Sequence, residues 1–433
     1  MMSIKSSYKK AFILLTSLFF MWGLLTVLVD SLIPRLKEIF ELTYFQAGLV
    51  QFAFFIAYGL VSIPAGSILH KIGYKNGIIV GLGVMALGCL LFYPAAAFRI
   101  FPLFMLGYFI LASGMTVLQV AANPYVTVLG DEKTASSRLN LSQAFNSLGT
   151  AIAPALGAIF ILSDNIKSSD EILNLDEVSK EIYYTSEASA VQVPFVVLAI
   201  ALALLAIFVK FVNLPQILNR TLNNSYLEVL KHKRLKHGVI AIFLYVGAEV
   251  AIGSYLVNYF LDMNLVEVIR QNEFMNSVAS FVHNTNLKMV DNKGVVASFV
   301  IFYWSGAMFG RFLGSYLTKV FQPQKILGIF AFLAIVSIGF SVLTSGLMSM
   351  WFILVVGLFN SIMFPTIFSL AIDGLGDLKP YGSGLLCTAI AGGAFIPPLF
   401  GLFADYVGFK VAFILIIICY LYILLYSKKS QTG

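Results

Sequence analysis

Charge is what this chain lacks most. Only 11% of its 433 residues are Asp, Glu, Lys or Arg, against about 25% in an ordinary globular domain. Cysteine, tryptophan and histidine are nearly as scarce, at 3, 3 and 4 residues. Cys89, Cys387 and Cys419 stand far apart in separate apolar runs. That spacing argues against a disulfide framework or thiolate metal cluster and leaves three small buried hydrophobes. His70, His232, His237 and His283 are expected in loops, so no histidine site is expected at membrane depth. With no Ser–His or Cys–His arrangement at depth and no phosphate-binding glycines, an enzyme is not expected, nor is a cofactor or a metal. The formal charge of +7 comes from Lys and Arg in short loops between apolar runs. That placement follows the positive-inside rule and does not call for nucleic acid.

What the chain has is apolar surface, with 59% hydrophobic residues and a mean hydropathy of +0.89. With so little charge, this describes a polytopic membrane protein embedded in a lipid bilayer. A span needs roughly 20 apolar residues at about 1.5 Å each. An all-α membrane fold of twelve transmembrane helices is therefore expected. The first six fall near 11–33, 43–68, 76–98, 101–127, 139–162 and 190–213. The second six fall near 237–262, 294–318, 325–345, 349–373, 382–403 and 409–426. The first follows the basic tail MMSIKSSYKK and is too long for a signal peptide, with no small-residue cleavage pattern.

Loops set the expected orientation. Lys5, Lys9 and Lys10 precede the first span, Lys71 and Lys75 follow the second, and Lys428 and Lys429 follow the last. The segment between the sixth and seventh spans is strongly basic. Both termini are thus expected in the cytoplasm, in a cytoplasmic (inner) membrane. The acidic connection 163–189 and the loop 263–293 are then external, as lids, amphipathic helices or tethers. The basic linker 214–236 divides an N-terminal six-helix half, 1–213, from a C-terminal half, 237–433. The halves echo each other: AANPYVTVLGDEK closes the fourth span and MFPTIFSLAIDGLGDLK the tenth, each with a proline and an acidic, Gly-rich exit.

Polar side chains inside apolar runs face protein interior or a water-filled cavity. Gln119 and Asn123 share one helix face, as do Gln143 and Asn146, and Asn360 lies on the tenth span. Their amides supply both donors and acceptors, as a polar solute requires, although interhelical bonding also explains them. Trp22, Phe145, Tyr245, Tyr255 and Trp304 lie nearby and offer π-faces to a solute, or simply pack. Two carboxylates stand out. Glu249 is near mid-span, and Asp30 follows LLTVLV, either within the membrane or solvated at its outer edge.

These residues sit in segments that resemble a known family. The matching stretches are SLFFMWG before Asp30, LTYFQAGLVQFAFFIAYGLVSIPAG (42–66), AANPYVTVLG (121–130) and RLNLSQAFNSLG (138–149). In the second half they are YVGAEVAIGSYLVNYF (245–260), FYWSGAMFGRF (302–312) and FPTIFSLAI (364–372). Together they resemble the fucose–galactose–glucose:cation symporter family of the major facilitator superfamily. The resemblance implies the major facilitator fold, with two six-helix parallel repeats. The superfamily's loop motif is degraded in GSILHKIGYK, where His70 takes a usually acidic position. Val29 precedes Asp30 where members often have Asn.

The resemblance implies a secondary active transporter importing a neutral hexose with a cation, a proton rather than Na⁺, by alternating access. Asp30 matches the acidic residue implicated in cation and sugar coupling, and Glu249 is the second expected coupling group. The pair Gln119 and Glu249 resembles the glucose/galactose branch, since fucose-transporting members carry Glu and Gln there. Gln119, Asn123, Gln143, Asn146, Glu249 and Asn360 are the expected sugar contacts. The expected protein is monomeric. L-Fucose or N-acetylglucosamine symport, an uncoupled facilitator, and a sugar sensor are the alternatives.

Overall fold

A computed structural model describes residues 2–30, 44–160, 174–218 and 226–430. The long helices of the first half are α1 (Met2–Asp30), α2 (Tyr44–Ile72), α3 (Tyr74–Ala97), α4 (Phe101–Val128), α5 (Ala135–Phe160) and α6 (Glu177–Phe211). Then come α7 (Lys233–Asp262), three short helices α8 (Leu265–Gln271), α9 (Glu273–His283) and α10 (Asn292–Ala297), and α11 (Val300–Val320). The chain ends with α12 (Pro323–Leu343), α13 (Gly346–Asn360), α14 (Met363–Ala371), α15 (Lys379–Thr388), α16 (Gly392–Val407) and α17 (Phe409–Lys429).

Among the described residues, 11 stretches are helical, long and apolar enough to cross a membrane. They coincide with eleven of the twelve expected spans. The twelfth, α5, forms where expected, but Arg138, Asn140, Gln143 and Asn146 make it more polar than the others. Two expected spans are broken. The tenth divides at Ser361 and Ile362 into α13 and α14, and the eleventh divides at the 3-10 turn Ala389–Ala391 into α15 and α16. Pro365 is the third residue of α14, where its missing N–H has no helical acceptor to lose.

The expectation that all four histidines lie in loops is corrected. His70 is buried within α2 against Tyr381 (ring centroids 5.0 Å), His237 lies in α7, and His283 ends α9. Helix length explains this. The 29 residues of α2 extend about 44 Å, beyond a hydrocarbon core of about 30 Å, so helix continues where loop was expected.

The chain forms two compact units. Unit 1 comprises Met1–Glu132, Phe145–Lys231 and Gly374–Thr388. Here α1 and α5 cross so closely that a methyl group at Gly23 would overlap the Asn146 carbonyl, and one at Gly149 the Phe20 carbonyl. The borrowed segment is tied in by Ser383, which donates to the Val120 carbonyl of α4 at 2.8 Å. Unit 2 comprises Lys133–Ala144, His232–Asp373 and Ala389–Gly433. Its borrowed segment, the start of α5, pairs Ser136 with Ser369 (2.6 Å), and Asn140 donates to Thr366 (3.2 Å). The echo seen in sequence recurs as structure. Helix α4 leads through the 3-10 turn Glu132–Thr134 into α5, and α14 leads through the 3-10 turn Gly376–Leu378 into α15.

Candidate functional site

In unit 2, three helix segments converge on one ion pair. Arg311, on α11, approaches the Glu249 carboxylate of α7 at 3.7 Å, and the two side chains are only 15% and 14% exposed. The guanidinium Nε also donates to the Ser361 carbonyl at 3.2 Å. That carbonyl lies at the break between α13 and α14, where helical hydrogen bonding is interrupted. A planar guanidinium suits this bridging, because its donors point in several fixed directions at once. The Glu249 backbone carbonyl faces Tyr303 OH at 3.5 Å. Tyr303 in turn accepts from Asn360 Nδ2 at 2.5 Å, and Tyr420 donates to Asn360 Oδ1. Glu249, Arg311, Tyr303, Asn360 and Tyr420 therefore form one polar cluster within an apolar unit.

The cluster is not saturated. Glu249 Oε1 and Tyr245 OH are both buried and close to each other, and beyond that mutual approach and the Arg311 ion pair neither has a hydrogen-bond partner among the described residues. Tyr245 lies one helical turn before Glu249, so the acceptor and the phenol belong to one patch of α7. Leaving a buried polar atom unmatched costs about 1–3 kcal/mol, and more for a charged one. A carboxylate oxygen, a phenol and a guanidinium gathered this way suit a ligand bearing hydroxyls, each of which both donates and accepts.

Unit 1 holds a second polar group. Gln119 on α4 donates from Nε2 to Tyr58 OH on α2 at 2.5 Å, and it is 7% exposed. Asn123, one turn along α4, is fully buried within hydrogen-bonding reach of Cys387 on α15. Asn146 donates to the Phe19 carbonyl of α1 at 2.9 Å, an interhelical bond at the Gly23 crossing. Trp22 is buried there against Phe19.

The remaining sequence candidates are placed as follows. Gln143 is buried in unit 2, apart from the unit that holds Asn146. Asp30 is the last residue of α1, and its side chain lies outside the described residues. Asn360 is fully buried, with both amide ends engaged by tyrosines. Tyr255 packs against Phe400 and Phe409, and Trp304 is 48% exposed beside Tyr303. Sequence reasoning passed over Arg311, although a cation inside the apolar run 294–318 is the same signal that singled out Glu249. It also missed Tyr58, Tyr303 and Tyr420, which nothing in the sequence separates from the other members of a set of 20 tyrosines.

Comparison with known proteins gives a consistent setting. Residues 11–395 match the family model described as Major Facilitator Superfamily. A glucose/galactose transporter of Brucella abortus biovar 1 (strain 9-941) is 45% identical over 428 residues, covering 98% of this chain and 95% of that protein. The L-fucose-proton symporter of Escherichia coli (strain K12) is 34% identical over 444 residues, covering 99% and 94%. Among solved structures, the major facilitator transporter FucP in the outward conformation superposes with a TM-score of 0.87. That match has 33% sequence identity and covers 98% of this chain and 99% of that one.

Proposed function

Because this chain belongs to the Major Facilitator Superfamily, we propose that it is a sugar:proton symporter carrying a neutral hexose, glucose or galactose. The substrate class rests on its relatives, named as a glucose/galactose transporter and an L-fucose-proton symporter. The observation that carries the site is the under-bonded cluster on α7: Glu249 Oε1, reached by Arg311 only at ion-pair distance (3.7 Å), and Tyr245 OH beside it, both buried and neither making a full-length hydrogen bond among the described residues. In this reading sugar hydroxyls complete that cluster. Glu249 accepts from one hydroxyl and Arg311 donates to another, while the Tyr303–Asn360–Tyr420 chain holds α7 and α13 in register. Gln119, Asn123, Gln143 and Asn146 serve as further sugar contacts.

Coupling needs a group that binds and releases the proton during the cycle. Glu249 fills that role in the membrane, and Asp30 at the end of α1 is the second. One charge entering along a membrane potential gains about 2.3 kcal/mol per 100 mV. That supports roughly 50-fold accumulation of a neutral solute, at about 1.4 kcal/mol per factor of ten. The protein works as two six-helix halves, 1–213 and 237–433, with both termini cytoplasmic. L-Fucose and N-acetylglucosamine remain the alternative substrates, because exchanging one polar group redirects a hydroxyl-reading site.

Counterflow in proteoliposomes tests the substrate. Vesicles loaded with unlabelled galactose should accumulate labelled glucose and galactose transiently, and Glu249→Gln should weaken that exchange severalfold. Exchange of fucose but neither hexose would overturn the substrate assignment. Asp30→Asn should lose accumulation and keep exchange, and full accumulation would remove Asp30 from the coupling machinery.

A further inference from the structure

The external connection between α7 and α11 is folded and pinned. Arg270 donates to the Val290 carbonyl at 3.1 Å and to Glu267 at 3.0 Å. Asn272 caps α9 by accepting from the Met275 amide at 3.0 Å, and Asn276 donates back to the Arg270 carbonyl at 2.9 Å. The His283 ring meets the Gly294 carbonyl at 3.0 Å. Ile269, Met275, Ala279, Leu287 and Val295 are buried beneath.

On this fixed frame sit large apolar side chains that no described residue covers. Phe274 is 66% exposed, Phe281 86% and Met289 84%. At about 100° per residue, Phe274, Val278, Phe281 and Val282 form one arc of α9, which runs on into Met275 and Ala279. Glu273, Ser277 and Ser280 occupy the opposite arc. The apolar arc is thus half covered by its own protein and half bare.

We infer that α9 is an interfacial helix whose bare arc of Phe274, Phe281 and Val282 enters the headgroup–acyl boundary of the bilayer, with phospholipid as its partner. Position supports this occupant. Helix α8 begins at Leu265, directly after the span α7 ends at Asp262, and the next apolar stretch starts at Asn292. The 30 residues of α7 extend about 45 Å, so its end emerges beyond the roughly 30 Å core at headgroup level. The adjoining span also exposes apolar side chains near its start, Ile301 and Phe302. The connection is neutral overall, with Arg270, Lys288 and Lys293 offsetting Glu267, Glu273 and Asp291, so burial of the apolar arc and not charge attraction holds it at the lipid surface. A pinned helix of this kind fixes the outer ends of α7 and α11 relative to the membrane plane.

Nitroxide labels on the full chain in phospholipid vesicles test this. Phe274→Cys, Phe281→Cys, Glu273→Cys and Ser280→Cys are each labelled and checked for retained uptake. The native chain serves as background, because its three cysteines are buried. Labels at 274 and 281 should collide severalfold more with oxygen than with a water-soluble nickel chelate, and labels at 273 and 280 should show the reverse. Equal nickel access at all four positions would overturn the inference. So would oxygen access at 281 that changes when hexose is added, since α9 would then be a lid.

Discussion

At the scale of single residues, Arg311 and Glu249 explain most. A buried ion pair is costly to break from one side, because the survivor stays charged in a poor dielectric. Arg311→Met alone should therefore destabilise the protein by about 3–5 kcal/mol. Arg311→Met combined with Glu249→Gln should recover much of that loss, measured by thermal unfolding in detergent. A double variant no better than Arg311→Met would show that the two side chains do not depend on each other. Gln119→Ala tests the unit 1 group. It removes the hydrogen bond to Tyr58, worth about 0.5–1.5 kcal/mol net and more if the phenol is left unmatched. It should raise the Kd for hexose severalfold, and unchanged binding would leave Gln119 with packing alone. The sequence exposed Glu249 and Gln119 because a polar group at membrane depth needs a reason. It hid the tyrosines, since a phenol packs like phenylalanine until its partner is seen. His70 was misplaced because loop and helix end look alike where an apolar run stops.

At the scale of elements, what matters is where helices break and borrow. The break at Ser361 frees the carbonyl that Arg311 uses, so an irregularity in α13–α14 is part of the site. In the apolar run 349–373 the break is marked by Pro365, which has no N–H to offer the Ser361 carbonyl four residues earlier, whereas the use of that freed carbonyl by Arg311 was not legible. The start of α5 joins α14 through hydroxyls and one amide: Ser136 with Ser369 and Asn140 with Thr366. Bonds of about 0.5–1.5 kcal/mol net each hold such a seam yet let it part. If transport requires parting, Ser136→Cys with Ser369→Cys should block uptake under oxidation and recover with reductant. Uptake that persists with the disulfide formed would show the seam to be permanent. A smaller device sits at the start of α6. Asp176 accepts from the Ser179 amide at 3.1 Å, and the Ser179 hydroxyl first, with that amide second, holds its carboxyl below the usual range. A depressed carboxylate favours the folded turn above its unfolded pKa and loses that contribution as pH falls through the folded value. Amide exchange at 178–180 should therefore speed up in Asp176→Ala near neutral pH, and the difference should vanish in acid.

At the scale of the whole molecule, composition settled the class before any residue was considered. Charge at 11% and hydrophobic content at 59% leave a chain that must satisfy its backbone internally in lipid, and long helices do that. The two echoing exits after α4 and α14 were visible as a repeated Gly-Asp pattern. Their exchange of helix starts between compact units was not, because it depends on contacts far apart in sequence. Transport follows if sugar completes the α7 cluster and the proton travels with it. Flux coupling tests this most directly. Proteoliposomes loaded with a pH-sensitive dye receive glucose or galactose outside, with no pH gradient imposed and with potassium and valinomycin clamping the voltage. A symporter acidifies the lumen at a rate set by hexose concentration, and Glu249→Gln abolishes the acidification. Hexose entry at the wild-type rate without any change in lumenal pH would contradict the account.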